Sequence, residues 1–344
     1  MLWGYGGLAA LPGGNFPILS ALSQICLSAK PQAFDRWLEI LEKHQTRSES
    51  PAVWSALAHR YFSYLRQADH ERAQVLLDRL FAMFPSILGE VRDVRLMADL
   101  QGWISPDYAK RWLAVMAEQG ENGLQGSGEV LMLRHAWRQG EGWLSDMLEE
   151  LLTSIAPDTA LQRAGVAHTL IRMWEEPTLR ALGHGYLLRL LPSEEKPVRD
   201  ALGEMFRLRS SWPPDQFTWE IMDALAENPG LFLDGRAEHF PEILEGLVEY
   251  QPLRVAKLAH VVIDTVGAHL ADTASGWAFH CESLISVALR LQDMLGEISI
   301  RGVELFERLL EFNVSTAAEM ALSLDRRTPN VGVRPRLPRR RMKR

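Results

Sequence analysis

Cysteine is nearly absent from this sequence: Cys26 and Cys281 are the two in 344 residues. They lie far apart with no Cys-x-x-Cys spacing. That excludes a disulfide framework and a thiolate metal site, and it fits a reducing compartment. Long apolar runs are missing as well. Residues 1–29 carry no charge until Lys30, yet Gly4, Gly6, Gly7, Pro12, Gly13, Gly14 and Pro17 interrupt them. They are too broken for a membrane span and lack the basic lead of a signal peptide. Residues 1–15 are therefore expected to be irregular chain, with a first helix from residue 16. Membrane is not an expected partner, and the expected compartment is the cytoplasm.

Catalytic and cofactor motifs are also missing. The stretch GENGLQGSGE places Gly123, Gly126 and Gly128 outside the G-x-G-x-x-G spacing, and no Gly-Lys-Ser/Thr follows. A P-loop needs successive N–H groups opening a helix and a Lys for the phosphates, so this stretch binds no nucleotide by a known motif. No His-Glu-x-x-His and no Gly-x-Ser-x-Gly elbow occurs. His260 and Asp264 share a helical face at i, i+4, with His269 and His280 as the nearest further ligands. Two ligands on one helix are not a site, and an ordinary side-chain pair is the expectation. Cys281 sits beside His280, and helical neighbours point about 100° apart. Cys281 is therefore expected in the core and inert. No catalytic residue, cofactor or metal site is assigned, and the chain reads as non-enzymatic.

Helical periodicity is abundant. In FDRWLEILEKH, Phe34, Trp37, Leu38 and Leu41 make one apolar stripe with charges opposite. EGWLSDMLEELL and VELFERLLEF repeat the device. Strand-like alternation is almost missing; VAKLAHVVIDTV comes nearest, and its length suits a buried helix better. Start signals recur at Ser50-Pro51, Ser105-Pro106-Asp107, Pro157-Asp158, Ser193-Glu194-Glu195 and Pro213-Pro214-Asp215. They predict about 16 to 18 helices of ordinary length joined by short loops. Residues 118–129 are expected to be a flexible loop or soft domain boundary, and residues 208–216 a second irregular stretch.

The segment FPEILEGLVEYQPLRVAKLAHVVIDTVG pairs a Pro-led helix with a turn at Gln251-Pro252 and a longer apolar helix. It resembles degenerate HEAT or armadillo-like repeats, and the resemblance is best over residues 195–312. It implies an all-α fold, an α-solenoid of stacked antiparallel helix pairs over residues 16–325, in which each pair buries its apolar face only against its neighbours. Helical arrays of this kind sit behind bacterial NTPases and defence systems. The resemblance therefore implies a scaffold or adaptor that binds a partner protein within a larger complex.

Charge is unevenly spread. Of 37 Lys and Arg, nine fall in residues 326–344, which contain no Asp or Glu. The remaining 28 face 44 acidic residues, so residues 1–325 carry about −16. Pro329, Pro335 and Pro338 prevent a helix there, and a disordered tail is expected. An acidic body competes for the tail, which favours a specific acidic protein partner, with nucleic acid held by phosphate contacts as the alternative. The expected partner-binding residues are Arg334, Arg336, Arg339, Arg340, Arg341, Lys343 and Arg344. Trp103 and Trp212 join them, because they stand at segment ends where a solenoid presents its ridges.

Overall fold

The computed structural model describes residues 21–26, 34–44, 69–83, 85–90, 103–154, 156, 159–207, 212–233, 236–270, 272, 275–312, 314 and 317–319. The described residues are helical and contain no strand. None of their helices is long and apolar enough to cross a membrane. The chain divides into two compact units, Met1–Met205 and Phe206–Arg344. The expected segments 1–15 and 326–344 lie outside the described residues.

The first unit runs α1 (Phe34–His44), α2 (His70–Met83), α3 (Ser86–Glu90), α4 (Pro106–Ala117), α5 (Gly120–Trp137), α6 (Gly142–Thr153), α7 (Ala160–Met173), α8 (Pro177–Leu190) and α9 (Lys196–Leu202). Two of its helices begin at signals read from the sequence, α4 at Ser105-Pro106-Asp107 and α9 just after Ser193-Glu194-Glu195; Pro177 opens α8 in the same way, where a missing N–H costs nothing. The stripe predicted for 34–44 is the buried face of α1, formed by Phe34, Trp37, Leu38 and Leu41.

Residues 118–129 are a correction to the sequence reading. They hold no flexible boundary: α4 ends, Gly120 turns the chain at φ +76°, and α5 begins. The glycines are there because α5 touches its neighbours backbone to backbone. A Cβ at Gly123 would lie 2.1 Å from the Met116 carbonyl of α4. One at Gly128 would lie 1.9 Å from the Gln162 carbonyl of α7, and one at Gly165 of α7 would lie 2.0 Å from the Gln125 carbonyl of α5. Composition that reads as a linker is here the condition for close helix packing.

Two buried arginines pin the ends of helices in this unit. Arg134, wholly buried on α5, donates to both carboxylate oxygens of Glu141 at 2.8 and 2.9 Å and to the Ile104 carbonyl at 3.0 Å. Arg163 on α7 pairs with Glu195 and donates to the Leu151 carbonyl at the end of α6 at 3.3 Å. Each satisfies carbonyls that a helix or turn leaves unpaired, and each guanidinium is matched by a bidentate carboxylate.

The second unit contains α10 (Gln216–Glu227), α11 (Phe240–Leu247), α12 (Pro252–Leu270), α13 (Gly276–Gln292) and α14 (Glu297–Glu311), with 3-10 turns at Pro229–Leu233 and Ala237–His239. Asp215 caps α10 by accepting from the Thr218 N–H at 3.0 Å. Phe206, Phe232 and Phe240 form an aromatic cluster with centroids 5.1 to 6.0 Å apart.

Within each unit several helices two apart in sequence pack together, alongside packing between sequence neighbours such as α13 and α14. In the first, α5, α7 and α9 stack in order; in the second, α10, α12 and α14 do so, and α11 packs on α13. Side-chain pairs fix the directions. Glu242, Glu245 and Glu249 of α11 and its C-terminal turn meet His280, Ser286 and Arg290 of α13 in ascending order, so these helices are parallel.

Candidate functional site

A cleft in the second unit lies between α12 and α14. Val255, Leu258, Ala259, Val262, Ile263 and Val266 turn one face of α12 into the core. That leaves Leu253, Lys257, His260 and Asp264, at i, i+4, i+7 and i+11, along the opposite side. On α14, Gly302, Leu305 and Leu309 are buried, which leaves Glu297, Arg301, Glu304 and Arg308 in the same spacing. The two rows run side by side in parallel. Leu253, Lys257 and His260 face Glu297 and Arg301 across a cleft of about 340 Å³. Eleven residues along each helix, Arg308 Nε donates to Asp264 Oδ1 at 2.8 Å and closes that end.

Turn chemistry sets this register. Gly296, at φ +69°, reverses the chain between α13 and α14. Ser299 then donates to the Gln292 carbonyl at 2.9 Å. Gly302 lets α14 approach α13, since a Cβ there would come 2.5 Å from the Gln292 nitrogen.

The cleft combines three chemistries. Arg301 is engaged by Glu304 at 3.0 Å and by Glu297 at 3.5 Å. Lys257 is exposed and makes no ion pair among the described residues. His260 is half-buried, and its Nε2 has no hydrogen-bond partner among them. Burial pushes the His260 imidazolium down from 6.5, while Glu304 and Asp264 pull the other way, so at neutral pH the ring is uncharged. Leu253, which lines the cleft, is 48% exposed; Tyr250 in the turn before α12 is 62% exposed, Leu295 before α14 90% and Ile300 on α14 59%.

A second cluster bears metal-ligand chemistry. The 3-10 turn at 237–239 ends in Glu238 and His239, α11 adds Glu242, and α13 brings His280. The His239 and His280 rings meet edge to face with centroids 4.5 Å apart. His280 Nδ1 lies 2.9 Å from Glu242 Oε1, and His239 Nε2 lies 3.9 Å from Glu238 Oε1. One ligand atom from each of Glu238, His239 and His280 falls within 4.8 Å of the others.

The residues singled out from sequence are dispersed. Asp264 pairs with Arg308, not with His260, and His269 is exposed near the end of α12. His280 goes to His239 instead. The sequence reading missed His239, Glu238 and Glu242. Its local signal is His239 and Glu242 at i, i+3, and the decisive partner stands 38 residues away. Trp212 is 6% exposed and its ring packs on Phe240 at 6.4 Å, which places it in the core and not on a ridge as expected. Trp103 is half-buried against His70 at 5.3 Å. Cys281 is buried, as expected of a core residue. Arg334, Arg336, Arg339, Arg340, Arg341, Lys343 and Arg344 lie outside the described residues. Comparison with protein-family models, with curated proteins and with solved structures returns no match.

Proposed function

We propose that this chain is a non-enzymatic helical-repeat scaffold that holds a partner protein in the α12–α14 cleft. The observation that carries this reading is an open cleft in which the exposed apolar Leu253 stands beside Lys257, a cation with no ion pair among the described residues. An exposed apolar side chain on a groove that also carries charge is a common mark of a docking site. The packing of alternate helices within each unit supports the repeat-array part, because stacked helix pairs bury their faces in that way.

Charge selects the occupant. Arg301 is already met by two carboxylates, whereas Lys257 awaits one. The occupant is therefore a polypeptide segment that sets an apolar side chain on Leu253 and an Asp or Glu on Lys257. Neutral His260 at the cleft floor adds a hydrogen-bonding group without a charge penalty.

The test is co-purification of the tagged full chain from its native host, followed by a binding measurement with the purified partner. Leu253→Asp and Lys257→Glu should each weaken binding by at least tenfold while leaving the circular dichroism spectrum unchanged. Equal binding by both variants overturns the reading. So does recovery of nucleic acid alone with a steep salt dependence, which would shift the function to the basic tail.

A further inference from the structure

The strongest unassigned chemistry is the cluster of Glu238, His239, Glu242 and His280. We propose that it binds one divalent transition-metal ion, with Zn²⁺ as the best fit. Glu238, His239 and His280 serve as ligands, and Glu242 orients His280. This inference stands independently of the partner cleft, which lies on α12 and α14.

Three features converge on a metal. The first is the donor set. Two imidazoles and one carboxylate are the three-ligand combination that suits Zn²⁺ and its neighbours, leaving a fourth position for water. The second is the hydrogen bond at 2.9 Å between His280 Nδ1 and Glu242 Oε1. A carboxylate on one imidazole nitrogen holds the tautomer and ring angle and leaves the other nitrogen, here Nε2, for an ion. The third is the glycine under the site. A Cβ at Gly276 would lie 1.5 Å from Glu238 Oε2, so the glycine lets the carboxylate rest in this position and a side chain there would turn it aside.

The distances fit an ion after a small contraction. Ligands about 2.0–2.1 Å from a tetrahedral ion stand roughly 3.4 Å from one another. His239 Nε2 and Glu238 Oε1 are 3.9 Å apart, and the widest separation among the three ligand atoms is within 4.8 Å. Closing that span requires rotations of the partly exposed Glu238 and His239 side chains, while His280 is held by helix α13 and Glu242. The parallel register of α11 and α13, tied further along by Ser286 donating to Glu245 at 2.6 Å, keeps His280 over His239. An apolar or amide side chain at any of these four positions would fill the same space. Two rings edge to face between two carboxylates instead gather charge and nitrogen donors that a cation brings together.

The experiment uses the full chain, stripped with a chelator and titrated with Zn²⁺ by calorimetry and with Co²⁺ by visible absorption. One Zn²⁺ per chain should bind with micromolar or tighter affinity. Co²⁺ should give the intense d–d bands of a four-coordinate N/O site. His239→Ala and His280→Ala should each weaken Zn²⁺ binding at least 100-fold. Glu242→Gln should weaken it 10- to 100-fold, and Gly276→Ala about tenfold by displacing the Glu238 carboxylate. His269→Ala, on the exposed end of α12, should leave it unchanged. His239→Gln and His280→Gln keep the side-chain volume and serve if the alanine variants fail to fold. Absence of saturable Zn²⁺ binding overturns the proposal, as does binding of equal affinity in the His239→Ala/His280→Ala double variant. Octahedral Co²⁺ spectra with unchanged affinity in Gly276→Ala would likewise reject the site as drawn.

Discussion

Replacing Gly128 by Ala tests whether the glycine-rich stretch is a packed helix. In an isolated helix the change should stabilise by about 1 kcal/mol, because glycine is the poorer helix former. Here the new Cβ would meet the Gln162 carbonyl at 1.9 Å, against the 3.0 Å below which real contacts essentially never fall. Helices α5 and α7 must therefore separate by roughly 1 Å, and a gap of that size forfeits a quarter to a half of each dispersion contact across it. The two helices meet where Gln162 of α7 faces Ser127 and Gly128 of α5, and where Gly165, His168 and Thr169 face Gln125 and Glu129. Overpacking of this kind costs up to about 3 kcal/mol. The net expectation is about 2 kcal/mol of destabilisation, within the range for overpacked cores. Gly165→Ala, whose Cβ would lie 2.0 Å from the Gln125 carbonyl, should behave alike. The double variant should cost less than the sum, since one separation accommodates both. Gly185→Ala on α8 is the control: nothing lies within 4 Å of its Cβ, so it should gain about 0.5–1 kcal/mol. Urea unfolding followed by circular dichroism reads all four. A Gly128→Ala variant as stable as Gly185→Ala would refute the packing argument and return residues 118–129 to a linker.

Arg134→Met should destabilise by about 3 kcal/mol in the same assay, because Glu141 is left with its bond from Trp143 Nε1 and the Ile104 carbonyl loses the guanidinium. Arg134→Lys should recover little of it, since an ammonium cannot match both carboxylate oxygens. The pH dependence follows from two histidines that burial drives below 6.5, His135 and His260. Below that value the unfolded chain takes up protons that the folded chain refuses, so their contribution is complete above about pH 6.5 and declines as pH falls through the interval beneath it. His135→Gln/His260→Gln should flatten the urea midpoint between pH 7 and 5; an unchanged slope would contradict the assignment.

Local structure was legible in this sequence wherever period and caps agreed. The stripe of FDRWLEILEKH is the buried face of α1, and Pro252 marks the start of α12 as read. Two places were not legible, for different physical reasons. Glycine at Gly123 and Gly128 signals a linker when judged by backbone freedom, yet it also permits the closest helix contacts, and only the neighbour decides between them. The carbonyl that decides at Gly128 belongs to Gln162, on another helix. Trp212 misled in the same sense. Beside Pro213-Pro214 it stands at a segment end, but the end folds inward onto Phe240.

The histidine cluster shows where single-helix reasoning stops. His260 and Asp264 share a helical face, and that made them the natural pair; the structure gives Asp264 to Arg308 on α14. His280 and Glu242 share no helix and lie 38 residues apart, and parallel stacking of α11 on α13 brings them to 2.9 Å. Parallel stacking of alternate helices turns residues some 40 apart into neighbours, as it does again for Glu245 with Ser286 and for Asp264 with Arg308. In a chain built this way, polar constellations are assembled at that spacing. Candidate sites are then found by pairing helices two apart, not by scanning along one.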